Sequence, residues 1–251
     1  MKFKSIESGS KGNSSLILCD SDKFIIDIGI SYLKLKRTLE ALKLDINDFT
    51  GVLITHSHSD HTKGLVAIIK HTKLNIYIPP KMYAELKDIV PDDRVVFLEE
   101  KNKFTDLTVE LLPTSHDTAC SVGYLFECNK KSLVYITDTG YINRKILNKI
   151  VNKNIYMIES NHDEVMLMEG PYPQFLKERV CSDYGHLSNK MTAKYLKKVV
   201  GNNTKAILLA HISEKNNTYD KVLEEIKKIK LDENITILLA TQSEETPYIE
   251  V

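Results

Sequence analysis

The chain has 251 residues, 42% of them apolar and 27% charged, with 34 basic and 34 acidic side chains. This is the balance of a soluble globular protein with length for a real core. Zero net charge gives no general electrostatic reason to expect nucleic acid or an anionic membrane as partner, although local patches can be basic on a neutral protein.

No apolar run approaches the ~20 residues that span a bilayer. The opening MKFKSIESGSKGN turns polar at once and lacks a signal-peptide core. Cys19, Cys120, Cys128 and Cys181 form no C-x-x-C pair, so they are expected as reduced thiols in a cytoplasmic protein. No repeat, low-complexity tract or linker marks a boundary, and a single domain over 1–251 is expected.

In chain order, KFKSIES alternates with period two, and SLILC and KFIIDIGI are β-rich runs around a turn at Ser21–Asp22. YLKLKRTLEALKL has helical spacing, GVLIT is a buried strand, and HTKGLVAIIKHT predicts one helix. LNIYI is a strand and KMYAELKDI a helix. The strands LTVELLP, SVGYLFEC and SLVYIT follow, then the helix NRKILNKI and the strand NIYMIES. NKMTAKYLKKVV, KAILLAH, YDKVLEEIKKI and NITILLA alternate helix and strand. Two mixed sheets packed face to face with helices outside, an αββα sandwich, satisfy this order.

Polar residues collect where these strands end. His56, His58, Asp60 and His61 follow GVLIT. His116 follows LTVELLPTS, Asp138 follows SLVYIT, Glu159 and His162 close NIYMI, and His211 closes KAILLA. A lone histidine is most often a core or surface residue, but H-x-H-x-D-H within six residues is a strong metal signal. Imidazole and carboxylate without cysteine suit Zn²⁺, Mn²⁺ or Fe²⁺. His56 and His58, two apart, face one way in an extended segment. Asp60 and His61 come where the chain turns into a helix and can serve a second position, so two adjacent ions use the four groups better than one.

With these motifs in view, the chain resembles the metallo-β-lactamase fold superfamily along nearly its whole length. The resemblance implies one metal held by His56, His58 and His116, a second by Asp60, His61 and His211, and Asp138 bridging both. SGSKGNSS, DIGIS, ITDTGYI, ESNHDEVMLMEGPYP, SDYGHLSN and AHISEKNN further resemble the YycJ (WalJ) family. That similarity implies a 5′-to-3′ exonuclease on double-stranded DNA, with a part in mismatch repair. Only about seventy residues separate Asp138 from His211, so no inserted clamp domain of the kind found in larger nucleases is expected.

The implied chemistry is phosphodiester hydrolysis by a metal-bridging hydroxide, with Asp60 and Asp138 fixing the ions. Glu159 and His186 resemble the paired acid of the tRNA 3′-processing branch and are expected to protonate the leaving oxygen. The Ser8–Ser15 turn offers N–H groups and hydroxyls for a phosphate, making Ser10 and Asn13 candidate substrate contacts. His162 is a further candidate contact, His71 reads as a helix cap, and Gly170–Arg179 reads as a loop that either grips nucleic acid or packs as a lid. A small cyclic phosphodiesterase, or a hydrolase of a thioester, lactone or β-lactam, is the competing expectation. A metal-stabilised binding module or a redox protein is a weaker one. No obligatory protein partner is inferable.

Overall fold

The computed structural model describes residues 1–251. The first half lays down β1 (Lys2–Glu7), β2 (Ser14–Leu18), β3 (Lys23–Ile26), β4 (Gly51–Leu53), β5 (Asn75–Ile78) and β6 (Val95–Phe97). Helix α1 (Tyr32–Ala41) precedes β4, α2 (Ser59–Thr62) and α3 (Leu65–His71) precede β5, and α4 (Tyr83–Leu86) precedes β6. The second half adds β7 (Lys101–Lys103), β8 (Leu107–Pro113), β9 (Val122–Cys128), β10 (Lys131–Ile136), β11 (Ile155–Glu159), β12 (Ala206–Ala210) and β13 (Thr236–Leu239). Among these run α5 (Arg144–Lys149), α6 (Glu164–Glu169), α7 (Gln174–Cys181), α8 (Asn189–Val199) and α9 (Tyr219–Lys228), and β14 (Ile249–Glu250) ends the chain.

The strands form two seven-stranded sheets, ordered β14-β1-β2-β3-β4-β5-β6 and β13-β12-β11-β10-β9-β8-β7. Each half follows the same plan. Antiparallel strands that follow one another in sequence come first, β1 to β3 and β7 to β10. Parallel strands follow, β3 to β6 and β10 to β13. Parallel neighbours need a crossover, which the helices supply.

The apolar runs of β10 to β12 lack polar alternation because both faces are covered. Leu133, Tyr135, Ile155, Met157, Ala206 and Leu208 pack with Phe3, Ile17 and Phe24 of the opposite sheet. Their neighbours Val134, Ile136, Tyr156, Ile158, Ile207 and Leu209 pack outward against Ile146, Leu196, Val222 and Ile226 of α5, α8 and α9. Burying each Val, Leu, Ile, Phe or Met among them contributes about 1.5–3 kcal/mol. Leu35 and Leu39 of α1 and Leu65 and Ile68 of α3 join the core from the first half. The expected αββα sandwich is the observed one, and no helix is long and apolar enough to cross a membrane.

Three local differences have physical causes. The single helix expected over 61–72 is split into α2 and α3, because the chain at Gly64 runs against the backbone of the Ile28–Ile30 segment. Gly64 N donates to Ile28 O at 2.8 Å, and a Cβ there would lie 2.4 Å from Ile30 O. Gly170–Arg179, expected as a loop, contains most of α7, which starts directly after Pro173 at its N-cap; proline is tolerated at a helix start because the first N–H groups need no intrahelical acceptor. The strands β6, β7 and β14 have two or three residues, too few to show a period.

Candidate metal centre

Three residues leave their strands through left-handed backbone: Asp27 after β3 (φ 58°), Asp138 after β10 (φ 53°) and His211 after β12 (φ 53°). For residues with a Cβ this costs about 1 kcal/mol or more, and such strain concentrates at functional sites. Here it turns Asp138 and His211 towards each other and Asp27 towards His61.

The fourth arm is the segment after β4. His56 lies in the connection after β4, His58 is the N-cap of α2, and Asp60 and His61 sit in that helix. Ile28 N donates to His61 O and Asn13 N to Asp60 O, both at 2.8 Å. A Cβ on Gly29 would fall 1.6 Å from Asp60 O, so only glycine lets these backbones meet.

The candidate donor atoms gather in overlapping groups whose members all lie within 4.8 Å of one another: His56, His58 and His116; Asp60, His61 and His211; His56, His61 and Asp138; and Asp138, Glu159, His186 and His211. Asp138 stands between the imidazoles, its Oδ2 3.3 Å from His61 Nε2 and its Oδ1 3.4 Å from His211 Nε2. His56 Nε2, Asp138 Oδ2 and His211 Nε2 are buried without a hydrogen-bond partner. Buried polar atoms left without a partner are costly inside a protein. Three of them converging, in a set of imidazoles and carboxylates, fit divalent metal ions.

Side chains behind the cluster orient its rings. Asp27 Oδ1 accepts Thr55 N–H and its Oδ2 accepts the Thr55 hydroxyl, each at 2.8 Å. His61 Nδ1 lies 2.8 Å from the same Oδ2. With its hydrogen committed to Asp27, the Thr55 oxygen accepts from His56 Nδ1–H at 3.1 Å. Both rings therefore carry their proton on Nδ1 and turn Nε2 to the site. His116 does likewise, donating Nδ1–H to Gly185 O at 3.2 Å.

Asn13 departs from the expected substrate contact. It is buried, its Oδ1 accepts Gly9 N–H at 2.9 Å, and its Nδ2 donates to Gly9 O at 3.0 Å. The same Nδ2 lies 2.9 Å from His61 Nε2, which requires a lone pair on that nitrogen. Asn13 thus holds the turn shut and faces His61 instead of solvent. Ser10, in the same turn, is exposed and lines a cavity of about 150 Å³ with His116, His186 and Arg179.

Electrostatics follow the packing. Burial opposes the Asp138 charge, but His211 and His61 outweigh it and hold its pKa well below the carboxylate range. Asp60 is lowered in the same way, burial being overcome by His211 and His61. Burial disfavours the charged His211 ring, yet Asp138, Asp60 and Glu159 raise it to about 9. His61 also titrates high, burial being outweighed by Asp27 and Asp138, although the Asn13 donor favours the neutral Nδ1–H form. His56 is pushed well down by burial and by His61, and His116 is lowered mainly by burial.

Glu159 and His186, 27 positions apart, meet with Oε2 3.0 Å from Nδ1. Glu159 is buried, and its Oε1 accepts Thr139 N–H at 2.7 Å and Leu187 N–H at 3.2 Å. Ser188 caps α8 by accepting Met191 N–H. His162 is buried in a bridge to Ser188, belongs to none of the donor groups, and has Nδ1 unpartnered. His71 ends α3 and stacks on Tyr32 with ring centroids 4.9 Å apart.

The sequence reading does not single out Asp27, Thr55 or Asp117, nor the contact that Arg179 makes. Asp117 Oδ1 lies 3.5 Å from His58 Nε2 and 3.4 Å from His116 Nε2, while its Oδ2 pairs with Arg179 Nε at 2.6 Å. Asp27 had a legible signal, since it ends the FII run as Asp138 ends its own strand. Asp117 had one in its place directly after His116. The Arg179 partnership spans 62 positions and had none.

Residues 22–212 match the family described as the beta-lactamase superfamily domain. The chain is 36% identical to a protein named exodeoxyribonuclease YycJ from Bacillus anthracis, over 86% of this chain and 84% of that one. It is 34% identical to exodeoxyribonuclease WalJ of Streptococcus pneumoniae, over 86% and 83%. The metallo-β-lactamase fold protein YhfI of Bacillus subtilis superposes with a TM-score of 0.72 at 14% identity, over 98% of each chain. The fold, the convergent donor set and these likenesses agree: the chain is a metal-dependent hydrolase that belongs to the metallo-β-lactamase fold superfamily and, within it, to the YycJ/WalJ family.

Proposed function

We propose that this enzyme is a two-metal phosphodiesterase that degrades double-stranded DNA from its ends in the 5′-to-3′ direction. His56, His58 and His116 would hold one ion, Asp60, His61 and His211 the other, with Asp138 between them. When bound, the ions supply a deprotonated water at neutral pH and neutralise charge on the phosphoryl oxygens.

The observation that carries the proposal is the Glu159–His186 pair beside Asp138. Esters with an alkoxide leaving group need a proton donor, and phosphodiesters of DNA are of that kind. Glu159 Oε1 is occupied by two backbone N–H groups, which leaves Oε2 to hold His186 Nδ1–H. His186 then presents Nε2 to the cavity that Ser10 and His116 also line. In this role His186 protonates the departing 3′ oxygen, and Ser10 contacts a substrate phosphate. The names of the Bacillus anthracis and Streptococcus pneumoniae relatives support DNA as substrate. The four free cysteines are in keeping with a cytoplasmic setting.

The test uses protein loaded with Mn²⁺ and a blunt duplex labelled at its 5′ or its 3′ end, with Asp138→Ala as control. Early release of labelled 5′ mononucleotide, lost in the variant, is expected. Intact duplex with two bound metals per chain would refute the DNA substrate. Cleavage of a small diester in the same preparation would then favour a small cyclic phosphodiesterase.

A further inference from the structure

A groove of about 740 Å³ runs along the second half of the molecule beside the candidate centre. His116 and Tyr184 line both this groove and the smaller cavity that His186 also lines, so the two adjoin. Its volume falls within the ~300–1,000 Å³ of ordinary ligand sites. Nothing in the proposed hydrolytic step uses it.

Its walls carry two exposed aromatics, Tyr141 at 42% and Tyr184 at 63% exposure. Lys81 and Lys145 are exposed on the same walls and make no salt bridge, whereas Lys149 is tied to Glu100 and Glu110. The two tyrosines come from loops locked together. Gly140 N donates to Ser115 O at 2.9 Å, and a Cβ on Gly140 would lie 2.3 Å from the backbone of Asp183. Only glycine lets the Tyr141 loop touch the Tyr184 loop.

We infer that this groove holds a single-stranded stretch of the polynucleotide being cleaved, with bases stacked on Tyr141 and Tyr184 and phosphates against Lys81 and Lys145. The inference rests on the nuclease reading and specifies its substrate: a stacking ring needs an unpaired base, so a duplex end must open before it enters. Exposed rings and cations without a salt bridge on the same walls match the two surfaces of a single strand, flat π-face and anionic backbone. The shared wall at His116 puts a strand in this groove beside the candidate centre.

The test compares Tyr141→Ala/Tyr184→Ala and Lys81→Ala/Lys145→Ala with the parent enzyme, all metal-loaded, on a single-stranded 12-nucleotide oligomer and on bis(p-nitrophenyl) phosphate. The small diester is too short to reach along the groove and serves as reference. The tyrosine pair is expected to lower kcat/KM for the oligomer, relative to the diester, by about tenfold or more, chiefly through KM. Tyr141→Phe/Tyr184→Phe keeps the stacking faces and is expected to restore it. The lysine pair is expected to flatten the slope of log(kcat/KM) against log[salt] by about 1.4, some 0.7 per cation on a single strand. An unchanged ratio and unchanged slope in an enzyme that degrades the oligomer would overturn the groove and leave the nuclease reading intact. A parent enzyme that cleaves the diester but no nucleic acid would overturn both.

Discussion

Replacing Asp27 by asparagine changes one atom of a residue that touches no substrate, and the account predicts a large effect. Asp27 and His61 are completely buried, and Asp27 Oδ2 accepts from both His61 Nδ1 and the Thr55 hydroxyl at 2.8 Å. In Asp27→Asn the amide oxygen can still accept Thr55 N–H at the Oδ1 position. The NH₂ group then points at two groups that need an acceptor. His61 must either lose the bond or move its proton to Nε2, where the lone pair for a metal is required. A hydrogen bond to a charged acceptor is worth about 1.5–3 kcal/mol. Loss of a partner that orients a metal-ligating histidine costs about 10–100-fold in metal affinity, or about 1.4–2.7 kcal/mol. The two estimates coincide. Titration of metal-free protein with Zn²⁺ against a competing chelator should show one binding step weakened by that factor. The step assigned to His56, His58 and His116 should shift less, since Asp27 reaches His56 only through Thr55. Affinities unchanged within twofold in both steps would refute the reasoning.

Glu159→Gln should leave metal content intact and lower kcat on oligonucleotides by about 100-fold, the lower range for a positioned acid or base, while sparing p-nitrophenyl esters that leave without a proton; equal losses on both substrates would contradict the acid role. Gly29→Ala forces a Cβ against Asp60 O and should cost about 1–3 kcal/mol of stability together with weaker metal binding, read by urea unfolding and chelator competition. Burial, with His186 adding to it, lowers the His162 pKa to about 4 from 6.5. The unfolded chain therefore binds the proton first as pH falls, so the stability associated with a neutral His162 is full above about pH 6.5 and is lost towards pH 4. The loss is at most about 3.4 kcal/mol. Urea unfolding of metal-free His162→Leu should be flatter than the parent across that window, and parallel curves would exclude His162 as the source.

Strands β10 to β12 were legible because burial on both faces made them unbroken apolar runs, and the candidate metal centre was legible because its members follow the ends of apolar strand runs. His56 to His61, His116, Asp138 and His211 all obey that rule. Glu159 and His186 do not stand close in sequence; only a family likeness joined them, and the fold brings them to 3.0 Å. What sequence did not carry was direction. Asn13 sits in a polar turn that looks like a phosphate loop, yet its amide is folded inward against Gly9 and His61. The helix α7 was hidden by two prolines, one of which is its N-cap. Asp117 and Arg179 meet across a fold that no local pattern encodes.

The central claim is that seven side chains divide between two ions, and anomalous diffraction from crystals grown with Zn²⁺ or Mn²⁺ tests it most directly. The account predicts two peaks per chain, one among His56, His58 and His116 and one among Asp60, His61 and His211, with Asp138 reaching both. A single peak, or a second peak away from Asp138, would contradict it.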